Sequence, residues 1–404
     1  MVSVRCTSVH VDRTLTNRVY NPTEMNAEPA FLIAAVRHFL DAEAPLPDSQ
    51  NIDWTAVLRL ANAHTVTPML YNAFRETPIP DAVAEQLRSA FETSVRWSLA
   101  QSGELTGLVG LFEEKGIPVV ALKGPLLSRY LYGDLSVRSS GDIDVLVKQD
   151  DVRRSRDALV SSGCRAANRL HWNSDSACLR LRGQEMAFDS PSGVSIDVHW
   201  RLVPPHFPSA FDELDGWESL ATVTLAGRQV HTLAPEPLLL FLCSHGAKHM
   251  FERLGWICDI ARFLMVTPEL DWPAVVDQAR RAHALRQVSL GLRLAGDLAG
   301  VVSPPPLPKD TVVEPLARAV WNRLLAGATP PASALESLRF CLRLMERPGH
   351  QLRYVAGEYL TPSEAEFRAL QLPPRLFFLY YPFRPIRLFW KHAIQRPIGA
   401  ICGS

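Results

Sequence analysis

The chain contains 404 residues, which is long enough for two or three units with their own hydrophobic cores. Its hydrophobic share of 47% and its charged share of 21% are typical of a globular protein and exclude a disordered or fibrous one. Lysine plus arginine and aspartate plus glutamate both number 42, so the overall charge favours neither nucleic acid nor basic partners.

The chain begins with residues that show little pattern and continues with helical periodicity. Residues 1–28 are expected to form a flexible arm, and residues 29–115 an N-terminal helical region. Asp53 and Asp81 precede apolar-periodic stretches, so we predict both as helix N-caps.

The central residues 116–232 predict a small unit of helices and mixed strands, because short apolar runs and alternating segments replace the helical pattern. Its strands are expected at the segments IPVVAL, DIDVLV, CLRLRG, EMAFDS, VSIDVHW and RQVHTL. Pro191 to Gly193 are typical of a hairpin turn before VSIDVHW. Helical periodicity returns over 233–350, and residues 351–404 form a basic, aromatic tail.

The cysteines and the first residues bear on the location of the protein. Seven scattered cysteines include no Cys-x-x-Cys pair, so a reducing, cytoplasmic setting is the simplest interpretation. The N-terminal stretch has no apolar core of signal-peptide length. The sequence also lacks a run of about 18 apolar residues, so it predicts no membrane span. We therefore expect a soluble protein.

Two aspartates interrupt a strand that is otherwise apolar. Asp142 and Asp144 alternate with Ile143 and Val145, so both carboxylates point to one face, about 7 Å apart along the strand. A lone Asp-x-Asp more often caps a turn or pairs with arginine, but Asp197 stands in a second strand of the same character. Three such carboxylates favour a site for Mg²⁺ or Mn²⁺, with two ions ~4 Å apart, as used for phosphoryl displacement.

Candidate phosphate ligands precede the aspartates. The strand VVAL ends at Lys123 and Gly124, where a helix begins, and the N–H groups and dipole of a helix N-terminus attract anions. Arg138 can bind phosphate oxygens through its guanidinium fork, or it can be a surface residue. The candidate phosphate-binding residues are Lys123, Gly124, Arg138, Ser139, Ser140 and Gly141.

Three histidines are candidates for the substrate side of the site. His199 follows Asp197 by two residues and points to the same face of its strand. His245 and His249 are four residues apart in a helical pattern, a spacing that zinc accepts, but they lack the glutamate of His-Glu-x-x-His. A structural pair, or a contact to the acceptor beside the metal cleft, is therefore favoured for these two.

Together these motifs resemble the uncharacterised nucleotidyltransferase family within the DNA polymerase β-type superfamily. The pattern is a glycine turn, an Asp-x-Asp strand and a third aspartate, here Gly124, Asp142 with Asp144, and Asp197. Softer similarity covers most of the chain, including WTAVLRLANAHTVTPML and LLFLCSHGAKHMFERLGWICDIARFL. Pro125 is a departure, since the superfamily usually has serine or glycine there, and it removes one N–H that could face a phosphate.

The resemblance implies an α+β fold: a mixed-sheet nucleotidyltransferase core flanked by helical N- and C-terminal regions. It implies a two-metal enzyme that transfers a nucleotidyl group from an NTP to a small molecule, a sugar or a modified peptide. Asp142 and Asp144 would hold the ion that bridges the phosphates, and Asp197 would bind a second ion or act as base. The same site could instead use a nucleotide-sugar for glycosyl transfer, or serve a non-catalytic, antitoxin-like regulator. A long nucleic acid is not expected as acceptor.

The tail is a second functional signal. From Phe367 onward it contains six lysines and arginines, no acidic residue and many aromatic residues. Such composition is typical of a membrane surface or a protein partner, or it allows packing on the fold, which we favour. The prolines between Pro373 and Pro397 argue against one long amphipathic helix.

Overall fold

The computed structural model begins with four helices. It describes residues 27–167, 184–208, 217, 220–301, 307–308, 310–327, 333–362, 364–370 and 372–390. The first helices are α1 (Ala27–Leu40), α2 (Trp54–Ala63), α3 (Thr67–Phe74) and α4 (Asp81–Glu114). Residues 1–26 of the predicted arm lie outside this description.

The two predicted N-caps behave differently. Asp53 caps α2, because its carboxylate accepts hydrogen bonds from the backbone N–H groups of Thr55 and Ala56. The prediction for Asp81 is wrong, since Pro80 is the N-cap of α4 and Asp81 is its first residue. Asp81 then lies in the first turn, where its charge faces the positive end of the helix dipole.

A five-stranded mixed sheet follows. Its strands are β1 (Val119–Ala121), β2 (Asp142–Val147), β3 (Arg165–Ala166), β4 (Glu185–Asp189) and β5 (Ser195–His199). Their order in the sheet is β1-β2-β5-β4-β3, with β2 and β5 parallel and every other neighbouring pair antiparallel. Two helices, α5 (Gly124–Tyr132) and α6 (Val152–Ser161), connect the first strands. The predicted α+β fold with a mixed sheet is thus confirmed.

Two hairpins complete the central part. The predicted turn at Pro191 to Gly193 joins β4 to β5, with Gly193 at a φ of +83° and the Ser190 N–H donating to the Val194 carbonyl. The second hairpin, β6 (Leu220–Leu225) and β7 (Arg228–Leu233), forms a separate two-stranded sheet. The strand predicted at CLRLRG, residues 178–183, falls outside the described residues.

The rest of the described chain is helical. Its helices are α7 (Pro235–Lys248), α8 (Leu254–Val266), α9 (Trp272–Arg281), α10 (Leu285–Ala299), α11 (Val313–Leu325), α12 (Ala334–Leu344), α13 (Pro348–Leu360), α14 (Glu364–Ala369) and α15 (Tyr380–Trp390). A short 3-10 helix, Pro374–Leu379, leads directly into α15. Within the described residues, no helix combines the length and the apolar character needed to cross a bilayer.

Helices from both ends of the chain share one hydrophobic core. This core contains Phe31 and Val57 from the N-terminal helices together with Phe241, Ile260 and Leu294 from α7, α8 and α10. A second core lies on the other face of the sheet and joins it to the end of α4. The helical regions thus form one body that covers one face of the sheet, where the aspartates point.

Candidate active site

The parallel pairing of β2 and β5 brings the three strand-borne aspartates onto one face of the sheet. Asp144 lies directly opposite Asp197, and Asp142, two residues earlier on β2, is opposite Ser195. Because side chains alternate along a strand, Ile143 packs into the core on the other face. Carboxylates that are far apart in the sequence therefore become neighbours.

Asp144 is the most buried of these carboxylates. It is 3% exposed, and its Oδ1 lies 3.1 Å from Lys123 Nζ and 3.0 Å from His199 Nε2. Burial opposes ionisation, but the ammonium group and the imidazole outweigh it and hold the pKa of Asp144 well below its usual range. Asp144 is therefore ionised near neutral pH although it is buried.

The pKa values of Asp142 and Asp197 move in the opposite direction. Burial and then the negative charge of Asp144 raise the pKa of both carboxyl groups. For Asp197 the pKa rises to about 7, with Asp142 and Glu185 contributing further repulsion. The face therefore has more negative charge than its surroundings compensate, which a bound cation would relieve.

The donor atoms at this face fit a divalent metal ion. Asp144 Oδ2 is buried and has no hydrogen-bond partner in the part of the chain that the structure describes. Ligand atoms of Asp144, Asp197 and His199 all lie within 4.8 Å of one another. Carboxylate oxygens are the ligands that Mg²⁺ and Mn²⁺ prefer, and the hydrogen bond from His199 orients Asp144. This set contains His199, whereas the set predicted from the sequence contains Asp142.

The turn between β1 and α5 lies against the aspartate strand. Gly124 has a φ of +66°, and a Cβ at this position would come within 3.3 Å of the Asp142 carbonyl oxygen. A larger residue would be both strained and crowded there. Lys123 is the N-cap of α5, and Pro125 occupies its first turn. The glycine thus lets the turn approach the strand so that Lys123 reaches Asp144.

The loop before β2 is fixed by α4. Ser140 Oγ donates a 2.8 Å hydrogen bond to the Asp142 carbonyl, and Trp97 Nε1 donates one of 2.8 Å to the Ser140 carbonyl. Ser139 Oγ lies 3.0 Å from Ser94 Oγ. The loop is therefore held at a set distance from the aspartates, and phosphate binding by its serines stays a prediction.

Arg138 forms a buried ion pair with Asp259 of α8. Its Nε lies 3.1 and 2.9 Å from the two carboxylate oxygens, and its Nη1 lies 3.5 Å from the Gly124 carbonyl oxygen. The two residues are 121 positions apart, so the pair joins the C-terminal helices to the loop before β2. Arg138 is not the surface residue that the sequence left open as an alternative. Phosphate binding by its remaining nitrogens stays a prediction.

His245, His249 and Trp256 form an aromatic cluster at the junction of α7 and α8. The ring centroids are 4.9 Å apart for the two histidines, and Trp256 lies 5.2 Å from His245 and 5.4 Å from His249. Burial lowers the pKa of both imidazoles, to about 3 for His249, with nearby lysines adding to the effect. Both rings are therefore neutral near pH 7.

A sharp break between the helices creates this cluster. The helical pattern of the sequence runs through His249, but α7 ends at Lys248 and His249 is its C-cap. Met250 and Phe251 adopt left-handed conformations with φ of 54° and 47°. The Phe251 ring packs where a Cβ on Gly246 would be, only 2.2 Å from the nearest ring atom. This contact turns the chain so that α8 returns beside α7.

One cavity of about 540 Å³ joins Asp142 and Asp144 to the aromatic cluster. Its polar wall comes from β1, β2 and their loops, its second wall from α4, and its third from the junctions of α2 with α3 and α7 with α8. The lining includes Trp97, Lys123, Arg138, Ser139, Ser140, Gly141, Asp142, Asp144, His245, His249, Glu252, Arg253, Trp256 and Asp259. The candidate phosphate ligands other than Gly124 thus face the same space as His245 and His249, whereas Asp197 and His199 do not line it.

Comparison with known proteins identifies the family of the chain. The sequence model of a family described as uncharacterised nucleotidyltransferase matches residues 50–300, more than half of the chain, so the chain belongs to this family. The predicted family is thereby confirmed. No curated protein matches the chain. The solution structure of the antibiotic-resistance factor ANT(2'')-Ia is similar over 56% of this chain and 94% of that one, at 15% identity and a TM-score of 0.27.

Three residues that contact predicted site residues were not themselves predicted for the site. Glu185 is 3.2 Å from the Nδ1 atom of His199, and no local pattern around it indicates this contact. Trp97 lies in the middle of the long helix α4, and the sequence around it indicates only an ordinary apolar position of that helix. Asp259 is the single acidic residue of the apolar helix α8. Because a buried carboxylate needs a partner, this acid is a signal in the sequence for a buried contact.

Proposed function

We propose that this protein is a divalent-metal-dependent nucleotidyltransferase that modifies a small-molecule, sugar or modified-peptide acceptor. The observation that carries the proposal is the buried Oδ2 of Asp144, which has no hydrogen-bond partner among the described residues and lies directly across the strand pair from Asp197. A buried, ionised oxygen without a partner is costly unless a ligand compensates it. Membership of the nucleotidyltransferase family supports this assignment of the site.

In this proposal Asp144 and Asp197 hold a divalent ion, with Asp142 beside them on the same face. When bound, such an ion neutralises phosphate charge and lowers the pKa of an acceptor hydroxyl. His199 keeps Asp144 oriented through its 3.0 Å hydrogen bond. Lys123 Nζ lies 3.1 Å from Asp144 and also binds a phosphate of the nucleotide donor.

The reaction is an in-line displacement at the α-phosphorus. The acceptor oxygen forms a bond to phosphorus while the bond to the β-phosphate breaks, and pyrophosphate leaves. The hydroxyl proton passes to solvent water, because in this arrangement Asp197 binds the ion and is not available as the general base. No covalent intermediate on the protein is needed, because positioning and charge neutralisation supply most of the catalysis.

The cavity supports a small acceptor. Its volume of about 540 Å³ lies within the range of sites for small ligands. Its far end offers flat rings and neutral imidazoles at His245, His249 and Trp256. Neutral donors and acceptors on aromatic faces suit a hydroxylated, ring-containing compound better than a polyanion.

The test is calorimetric titration of a panel of NTPs and UDP-sugars into the full chain, with and without Mg²⁺. We expect Mg²⁺-dependent binding of NTPs that is lost in the Asp142→Asn/Asp144→Asn variant. Asp150→Asn is the matched control, because Asp150 is an exposed acid just beyond β2. Product masses then separate a nucleotidylated acceptor from a glycosylated one. Equal binding by wild type and the double variant would contradict the proposal and favour a non-catalytic role.

A further inference from the structure

Exposed apolar side chains are concentrated in the C-terminal part of the molecule. Among the described residues, ten of the fourteen exposed large hydrophobic side chains lie between residues 352 and 390. That segment is a small fraction of the chain, so the distribution is not the scatter of single apolar residues that folded surfaces normally show. Such a concentration indicates a surface that binds another molecule or a membrane.

Helix α15 has its charged side turned toward the protein. Arg384 Nη1 lies 2.9 Å from Glu366 Oε2, and Arg387 Nε pairs with the other oxygen of the same carboxylate. Glu366 is fully buried, and Arg384 also donates to the Glu358 carbonyl oxygen at 3.0 and 2.7 Å. Tyr380 is buried on the same side. The arginines therefore anchor the helix.

The apolar side of α15 faces solvent instead. Pro382, Ile386, Phe389 and Trp390 are exposed, with the last three at 63%, 69% and 56%. Spacings of four, seven and eight residues place these side chains on one stripe of a helix. A soluble surface helix normally buries its apolar stripe and exposes its charges. This helix does the reverse.

The charge of the segment identifies what can cover the stripe. From Phe367 to the end of the chain there are six lysines and arginines, no acidic residue and eight aromatic residues. Within the described part, the single carboxylate of Glu366 serves two arginines, and Arg375 is exposed. Aromatic and aliphatic side chains beside excess positive charge match the interface of an anionic lipid bilayer.

We propose that the stripe Pro382, Ile386, Phe389 and Trp390 docks the protein on an anionic phospholipid surface. Helix α15 has 11 residues and is therefore about 16 Å long, too short to cross a hydrocarbon core of about 30 Å. It lies in the plane of the interface, with its apolar side among the acyl chains. This inference is independent of the proposed transfer reaction, because it uses none of its residues.

Vesicle co-sedimentation of the full chain tests the proposal. The vesicles are pure phosphatidylcholine, or phosphatidylcholine with about 30% phosphatidylglycerol, at low and high salt. We expect binding to the anionic vesicles that weakens with salt, and that is at least about tenfold weaker in Phe389→Ser/Trp390→Ser. Arg375→Gln, which removes one positive charge near the surface, should weaken binding by a smaller factor of about fivefold.

Matched controls separate this docking from other causes. Val160→Ser/Leu335→Ser removes two side chains of similar exposure, 53% and 54%, outside the segment and should bind like wild type. Folding of each variant is checked by circular dichroism. A folded wild type that binds no vesicle, or variants that bind equally, would overturn the proposal. A wild-type dimer that Phe389→Ser/Trp390→Ser converts to a monomer would overturn it in favour of a second copy of the chain.

Discussion

The aspartate face of the sheet and helix α15 both reverse the usual distribution of charge and apolar surface. At the sheet, charges are buried: Asp144 is 3% exposed and borders Asp197 and Asp142. At the tail, apolar side chains are exposed, with Phe389 at 69%. Buried charge and exposed apolar surface are the informative exceptions in a folded protein.

The two regions differ in how much of this buried charge or exposed apolar surface is compensated by other residues of the protein. Lys123 and His199 both contact one carboxylate oxygen of Asp144. Among the described residues, nothing compensates its other oxygen, and the carboxyl groups of Asp142 and Asp197 have raised pKa values. Nothing in the described residues covers the α15 stripe. The first region therefore indicates a small cationic ligand in a defined place, and the second an extended apolar surface.

The largest expected effect is at the sheet. Asp144→Asn keeps the shape of the side chain but removes the charge, so we expect nucleotidyl transfer to fall by about 10³-fold or more. The measurement is kcat/KM with the preferred NTP and Mg²⁺. Asp150→Asn, an exposed change of the same kind, should leave the rate unchanged. A loss of less than tenfold in Asp144→Asn would remove Asp144 from the catalytic centre.

A second prediction concerns the buried ion pair of Arg138 and Asp259. Asp259→Asn leaves a buried guanidinium without its carboxylate, so the free energy of unfolding should fall by about 3–5 kcal/mol. The exposed pair of Arg228 and Glu113 provides the control, because Glu113→Gln should cost about 1 kcal/mol or less. Denaturant titration measures both. Equal losses would mean that burial does not distinguish the two pairs.

The third prediction uses the raised pKa of Asp197. Its carboxyl is neutral below a pKa of about 7 and charged above it in the metal-free protein, and a metal binds only the charged form. We expect the affinity for Mg²⁺ to rise about tenfold between pH 6 and pH 8, with release of a proton. Calorimetry in buffers of different ionisation enthalpy detects that proton. Asp197→Asn should flatten the dependence, and an unchanged slope would assign it to another group.

The smallest expected effect is at the tail. Phe389→Ser/Trp390→Ser should change the free energy of unfolding by no more than about 0.5 kcal/mol, because both side chains are already exposed. Thermal unfolding of the soluble protein measures this. A large loss would show that the stripe packs on the fold in solution and would remove the contrast between the two regions.

Local patterns in the sequence determined much of the fold and the main part of the candidate site. Alternation of polar and apolar residues placed Asp142 and Asp144 on one face of β2, and Gly124 marked the turn before α5. The predicted end of the N-terminal helical region at residue 115 lies one residue beyond the end of α4 at Glu114. These features depend on neighbours a few positions away, whose preferences the sequence states directly.

The tertiary structure decided which distant residues meet. The parallel register sets Asp144 opposite Asp197, and the Arg138–Asp259 pair joins the loop before β2 to α8; no local period specifies either contact. The Gly246–Phe251 contact that ends α7 is close in sequence, but it too depends on side-chain packing that no helical period specifies. The outward stripe of α15 has the same origin, since the buried Glu366 fixes which side of the helix faces the protein. Periodicity defines a face, but burial of the whole chain chooses what that face contacts.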